Sequence, residues 1–522
     1  LIILQHTQIV NLSLLTNRRI YDRMTKAQIR SIMEKNQPME SRSDGGSAKY
    51  IKMTTQPVEK LVMKLAGPTV ISMLVTSFYN LADTFFVRQL ENDSMVAAVG
   101  IVLPLMSIIQ ALGFFCGHGS GNYISRALGS RDFADAETMA ATGFFYSVSI
   151  GTLLMVSGLV FRNQLAVILG AKTAATTAGT IDYMLYILLA TPFMMGAIVL
   201  NNQLRMQGNA FFAMIGLTTG AIVNIMLDPI FIYKQGDTLF GGAFSMPFGL
   251  GMGVAGASLA TGVSQLVSFV LLIIGISRSD NIKIRLSNFS FKTYYIKKIV
   301  QGGLPSLARQ GLASVATTCL NHAVGIYITG DAAIDAVQAA MTGTSKIMQF
   351  LTSALIGFGQ GFQPVCGFNY GAKKYDRVIK AYYFCVKVSA VFLAIVAVIG
   401  FIFAEPISSA VAGSSKQAAE IASFTFRTQL VVMPLMSWVM LCNMMLQTIG
   451  MTLRATIVAM ARQGLAFVPA VLLLPLICEK LGEPSLLGIE LAQAVADLLS
   501  FVIALPLGLT VIKEMRLSMK KE

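Results

Sequence analysis

From residue 58 onward, long apolar runs alternate with short polar stretches. Twelve such runs occur, near 62–87, 95–116, 137–160, 181–203, 210–233, 252–276, 299–328, 334–362, 381–403, 421–448, 455–477 and 486–512. Each is long enough to cross a hydrocarbon core of about 30 Å as a helix rising about 1.5 Å per residue. The runs are continuous rather than alternating, which argues against a closed β-barrel. The pattern predicts an all-α integral membrane protein with twelve transmembrane helices.

The runs also repeat as six and six, at a nearly constant offset of 242 residues. Gly117, Gly119 and Gly129 pair with Gly359, Gly361 and Gly371. Pro192, Asn201, Leu204, Gly208 and Ala213 pair with Pro434, Asn443, Leu446, Gly450 and Ala455. Small and helix-breaking residues recurring at one spacing indicate a duplicated bundle. Two pseudo-symmetric six-helix lobes of this kind enclose a central cleft, where one lobe can rock against the other. The expected organisation is a polar N-terminal segment 1–57, a first lobe 58–276, a basic linker 277–298, a second lobe 299–512 and a tail 513–522.

Composition agrees, with 54% hydrophobic and 13% charged residues. The net charge of +14 raises the question of nucleic acid, but its distribution answers it. With the N-terminus inside, 29 of the 40 Lys and Arg residues, Arg205 among them, fall on the inner side and seven on the outer. That asymmetry is the positive-inside signature of a multi-pass protein with both termini cytoplasmic. No nucleic-acid partner is expected; the lipid bilayer of the cell membrane is. The six cysteines have no metal-ligand spacing and read as packing residues. Residues 1–50 lack an initiator Met, a basic n-region and a cleavage site. They are expected to be disordered, or translated from an upstream start with Met24, Met39 or Met53 as the true one. Mass spectrometry of the native N-terminus decides between these.

An ionisable side chain inside a membrane helix is costly, about 2.5–3.5 kcal/mol on insertion scales, so each one asks for a reason. Asp83 is the lone charge between Lys64 and Arg88, and Asp228 the lone charge between Arg205 and Lys234. Both lie about 8 Å below the outer boundary of an in-to-out helix, level with each other and able to face one pocket. The alternative is a pair of interfacial acids reaching water. Asn224 precedes Asp228, and Tyr79 precedes Asp83, by one helical turn, so each can hydrogen-bond its acid. Pro68 and Pro305 interrupt the first and seventh segments; each leaves a carbonyl unpaired where the helix can bend. The second half has no acid in the places of Asp83 and Asp228. It carries Arg309, His322, Lys346 and Lys387 within its segments, read as buried or half-buried, and Glu490 and Asp497 on the last helix, Glu490 close to water at the segment's start. The Gly-rich outer connection 234–251 is expected to be irregular.

Three signatures are set aside. GMGVAG at 251–256 matches a dinucleotide pattern but opens a membrane helix with no preceding strand, so close helix packing explains it. HGSG at 118–121 lacks the first Gly of a nucleophile elbow. No HExxH or Walker motif is present. The 29 Met and 31 Phe residues suit a repacking apolar cavity, although Met is also ordinary core filler.

The stretches LAGPTVISMLVTSFYNLADTFFVRQL, GHGSGNYISRALGSRDFADAE, AIVNIMLDPIFIY and GMGVAGASLATGVSQ resemble the first, second, fifth and sixth helices of the multidrug and toxic compound extrusion (MATE) family. The resemblance spans roughly residues 58–512. It implies a twelve-helix, two-lobe antiporter that is not an enzyme. Such a protein exports cationic or amphipathic small molecules by rocker-switch alternating access, as a monomer, with H⁺ or Na⁺ as the coupling ion and no other cofactor. Matching motif by motif, Asp83, Asp228, Asn224 and Thr261 are the implied ion-coupling residues, Tyr79, Asp83 and Asn224 the candidate substrate contacts, and Pro68 the hinge. Carboxy-lobe acids that some members use for Na⁺ are missing, so the coupling site is expected in the first half. The rival readings are a lipid-linked oligosaccharide or polysaccharide flippase of the same superfamily, and an intramembrane enzyme using Ser120 or His322.

Overall fold

A computed structural model describes residues 44–89, 93–239, 244–278, 282–411 and 415–521. By internal contacts the chain divides at residue 50, and all that follows concerns residues 50–522. The expectation of disorder for residues 1–43, with Met24 and Met39, lies outside the described residues, whereas Asp44–Thr55 is helical. Met53 falls within that helix: it is buried, and its carbonyl accepts a bond from Asn369 Nδ2 at 3.1 Å. Lys374 Nζ reaches the next carbonyl, of Thr54, at 3.0 Å. Residues 50–57, grouped above with the polar segment, are therefore docked against the second lobe.

The first six long helices are α1 (Val58–Arg88), α2 (Asp93–Gly129), α3 (Phe133–Val160), α4 (Ala174–Met206), α5 (Ala210–Ile232) and α6 (Val254–Ser277). The second six are α7 (Thr293–Tyr327), α8 (Asp331–Gly371), α9 (Tyr375–Ile402), α10 (Lys416–Ile449), α11 (Thr452–Lys480) and α12 (Ser485–Met519). Ten of these are long and apolar enough to span a membrane. The other two, α7 and α8, are 35 and 41 residues long but carry Lys297, Lys298, Arg309, Asp331, Asp335 and Lys346. They are also the second-half helices that pack most extensively on α1 and α2. A helix shared between lipid and a polar interface needs only one apolar face, so its mean hydropathy falls.

Equivalent positions make equivalent contacts. Asn201 Nδ2 donates to the Ala213 carbonyl at 2.9 Å across the α4–α5 turn, and Asn443 Nδ2 to Ala455 at 2.7 Å across the α10–α11 turn. Each turn uses a glycine with positive φ, Gly208 and Gly450. The α2–α3 and α8–α9 turns put Arg131 and Lys373 in the left-handed region, the two non-glycine residues there among those described. In both halves the second helix packs on the fourth, the fourth on the sixth, the fifth on the sixth, and the first on the fifth.

The lobes join at one end, here called basal, where α1 begins and α12 finishes. The largest apolar core lies there and draws on both lobes, including Leu61, Val62, Ile124, Leu128, Phe362, Phe368, Tyr382 and Val511. The cores toward the distal end each belong to a single lobe. Glycines allow the close approach. A Cβ on Gly119 would strike the Ile299 carbonyl, and one on its repeat partner Gly361 would strike the Ala66 backbone. Gly129 and Gly371 face each other where α2 crosses α8, each hypothetical Cβ 3.0 Å from the other's Cα.

Polar contacts complete this seam. Thr69 Oγ1 donates to the Gly357 carbonyl at 2.6 Å, and Arg126 Nη1 donates to the Thr448 carbonyl. Arg205 is only 2% exposed and donates to Gln360 Oε1 at 2.7 Å and Asn202 Oδ1 at 2.5 Å. Arg205 was counted above among the inner loop charges; it is instead a core residue of the lobe interface. Its repeat partner Gln447 donates to Ser306 Oγ at 2.7 Å, and Ser306 bonds His118 Nδ1 at 2.9 Å. The apolar core shared by the two lobes lies at the basal end, and the cores toward the distal end do not cross between them.

Three further expectations change. The connection 234–251, read as irregular, contains a two-stranded hairpin pairing Thr238 with Ser245 and Leu239 with Phe244. His322, Lys346 and Lys387 are exposed rather than buried, while Arg309 is half-buried. Glu490, read as close to water at its helix start, is buried.

Candidate functional site

The α5–α6 connection sets the geometry of the first-lobe site. Carbonyls at the end of α5 lack intrahelical donors. Here the amides of Leu250, Gly251, Met252 and Gly253 supply them, reaching Ile230, Tyr233, Phe231 and Ile232 at 2.8–3.0 Å. Gly251 and Gly253 adopt positive φ to do so, and a Cβ on Gly256 would strike the Phe231 carbonyl. The glycines of GMGVAG thus serve close packing, as read from the sequence, and in addition cap α5. Below them Gly220 faces the Ser264 carbonyl and Ser268, which draws α5 onto α6.

This approach brings Asn224 and Asp228 of α5 to Thr261 of α6. Asn224 Nδ2 lies 3.4 Å from both Asp228 Oδ1 and Thr261 Oγ1, and all three residues are at most 2% exposed. Asp83 comes from α1, which packs on α5, and is half-buried. The two carboxylates are close enough for their charges to interact, and Tyr79 and Tyr183 lie in the field of both. Tyr233 at the end of α5 donates its hydroxyl to the Phe86 carbonyl at 2.6 Å, pinning α5 to the distal turn of α1.

The expected four residues, Asp83, Asn224, Asp228 and Thr261, therefore gather in one place. Tyr79 is near but makes no hydrogen bond to Asp83 among the described residues. Three acceptor oxygens, Asp83 Oδ1, Asp228 Oδ2 and Asn224 Oδ1, are buried without a donor. Buried acceptors of this kind are normally satisfied, and a proton or a small cation with oxygen ligands would satisfy these. Tyr183 was missed in the sequence, since nothing local marks a tyrosine 100 residues from its acid. Arg205 was missed too, although its repeat partner Gln447 hinted at a polar interface position.

Pro68 lies inside α1, which stays helical through it. Just beyond it Thr69 bonds Gly357, and Gly357 and Gly361 hold the adjoining backbone of α1. The basal part of α1 is thereby fixed to the second lobe, while the distal part carrying Asp83 packs on α5.

The corresponding helix pair of the second lobe, α11 and α12, carries a different arrangement. Gly488 takes the place of Gly256, a Cβ on it meeting the Leu474–Pro475 backbone. Arg462 Nε donates to Asp497 Oδ1 at 2.7 Å, and Gln493 Nε2 to the same oxygen at 2.9 Å. Arg462 sits on a π-helical turn, Ala461–Ala466, the kind of local widening often found at functional sites. The motif HGSG places His118 on Ser306 rather than on Ser120, whose hydroxyl instead donates to the Cys116 carbonyl at 2.8 Å. His118 and Ser120 thus form no nucleophile–base pair.

A family model described as MatE matches the chain twice, at residues 68–230 and 305–472. The chain belongs to the MatE family. The double match coincides with the repeat, Pro68 and Pro305 each opening one copy. The MatE chain is 27% identical over 420 residues to Multidrug export protein MepA of Staphylococcus haemolyticus, covering 80% of this chain and 86% of that one. A MepA of Staphylococcus aureus (strain MRSA252) is also 27% identical, over 425 residues, covering 80% and 87%. Among solved structures, the outward-facing conformation of a multidrug resistance MATE family transporter superposes with a TM-score of 0.79 at 25% identity. That likeness covers 91% of this chain and 99% of the other. The fold expectation, twelve helices in two lobes, is borne out, and the protein is a multi-pass membrane protein of a transporter family.

Proposed function

We propose that this MatE protein is a multidrug efflux antiporter that exchanges cationic or amphipathic compounds for H⁺ or Na⁺ in the cell membrane. Efflux rests on the family and on the MepA relatives. The observation that carries the coupling is the set of undonated oxygens on Asp83, Asp228 and Asn224, in a lobe whose distal side meets the cleft. The basal end is read as cytoplasmic from the distribution of Lys and Arg, and the closed seam there then corresponds to an outward-facing state.

In this reading an ion enters from outside and neutralises the Asp83–Asp228 pair. Asn224 and Thr261 hold Asp228 in place, while Asp83, the more open acid, and Tyr79 form the wall that a cationic substrate touches. Neutralisation removes the attraction for that substrate, and α1 bends about Pro68, where its backbone hydrogen bonding is already interrupted. The drug leaves, the lobes rock about the glycine seam, and the ion is released inside. A pH difference supplies about 1.4 kcal/mol per unit, and each charge moved about 2.3 kcal/mol per 100 mV.

The test is efflux of a cationic dye from proteoliposomes under separate pH and sodium gradients. One gradient should drive efflux in the natural protein, and Asp83→Asn should lose gradient-driven efflux while inserting normally. Unchanged efflux in that variant refutes the assignment.

A further inference from the structure

We infer that the second lobe holds its own ligand subsite, built for a zwitterionic compound bearing a carboxylate and a cationic group. A cavity of 390 Å³ is lined entirely by α7, α8, α10, α11 and α12, with no residue from the first lobe. That volume falls at the small end of the range of known small-molecule sites. Its walls mix apolar surface, including Met341, Met348 and Phe467, with charged and amide side chains.

The charged groups make the argument. Arg309 lines the cavity, is half-buried, and makes no hydrogen bond or ion pair with any described residue. Glu490 lines it too; it is 8% exposed and likewise has no protein donor. Arg462 is engaged with Asp497 through Nε, which closes one side of the cavity with an internally neutral pair. A buried carboxylate and a partly buried guanidinium, both left unpaired, are costly, so a lobe that merely needed to pack would pair or replace them. Arg309 offers a planar fork suited to a carboxylate, and Glu490 an acceptor for an ammonium or delocalised cation. The cavity as a whole is close to neutral, whereas the first-lobe cluster has acids and, among the described residues, no base. A simple cation is therefore directed to the first lobe, and a zwitterion finds both of its ends matched only in the second.

The inference does not depend on the coupling role of Asp83 and Asp228, because binding in detergent needs no gradient. Purified full-length protein is titrated by fluorescence polarisation with rhodamine 110, which carries a free carboxylate beside its cationic ring system, and with its methyl ester, which lacks that charge. In the natural protein the acid should bind more tightly than the ester. Arg309→Gln should reduce the acid-to-ester affinity ratio about tenfold, Arg309→Lys should restore part of it, and Glu490→Gln should weaken the acid while leaving the ester, which the first-lobe acids attract, unchanged. An unchanged ratio in Arg309→Gln, or equal loss of both dyes there, overturns the proposal. Should Arg309→Gln fail to elute as a folded species, Gln310→Glu, on the same wall, gives the decision. It should repel the acid selectively, and an unaltered ratio in it is equally fatal.

Discussion

The two lobes share one backbone plan and one set of helix contacts, yet their α5–α6 and α11–α12 pairs differ in electrostatics, the first acidic and the second a neutral ion pair. In the first lobe, Asn224 reaches both Asp228 and Thr261, Asp83 lies beside them, and neither acid pairs with a cation among the described residues. In the second, Arg462 neutralises Asp497 directly and Gln493 completes the contact. Duplication preserved what packing requires, namely glycines at crossings, asparagine caps and proline breaks. The polar side chains that packing does not dictate then diverged. Buried acids left without a donor would be satisfied by a proton or small cation, which is the coupling role proposed above; a closed ion pair is satisfied as it stands.

The largest expected effect breaks this contrast at its acids. Asp228→Asn should reduce gradient-driven dye efflux from proteoliposomes to background, whereas Asp497→Asn should leave the response to the driving ion in place. Equal loss in both would mean that the lobes share the coupling work. Stability should divide the other way. Arg462→Met strands a buried carboxylate and should destabilise the protein by about 3–5 kcal/mol. The double variant Arg462→Met, Asp497→Leu should recover most of that in thermal unfolding in detergent. Asp228→Asn, by removing one of two like charges, should not lower the unfolding temperature at all.

A middle-sized effect tests what the lobes have in common. Gly119→Ala and Gly361→Ala should each cost about 1–3 kcal/mol by overpacking the basal seam, and should cost similar amounts, because each added methyl meets backbone of the opposite lobe. A twofold asymmetry in unfolding free energy would show that the seam is not the pseudo-symmetric hinge described here. The smallest effect concerns Thr261→Val, which removes one partner of Asn224 at 3.4 Å. A loss of about 0.5–1 kcal/mol of stability, read in the same unfolding assay, with efflux changed no more than about threefold, would place Thr261 in a supporting role.

Much of this was legible before any coordinates. Period, length and repeat offset exposed twelve helices and two lobes, including α7 and α8, whose charges depress their hydropathy but whose places the repeat supplied. Asp83 and Asp228 stood out because a charge within an apolar run is conspicuous. Residues that matter through partners did not stand out in this way. Arg205 looked like a loop cation until Gln360 was found beside it, 155 positions away. Glu490 looked wet until the cavity around it was seen, and His322 looked buried until its face of α7 proved exposed.

The amino-acid order alone therefore determined which segments enter the bilayer, how many there are, and that they come as a duplicated set, because transfer of apolar side chains from water is a local property of each run. Only the tertiary structure decided at which end the lobes join, that Arg462 answers Asp497, and that Asn224 bridges Asp228 to Thr261. Those outcomes depend on distances between helices far apart in the chain, set by glycine crossings and capped turns that act together. Hydrophobicity is additive along a sequence; pairing of charges is not.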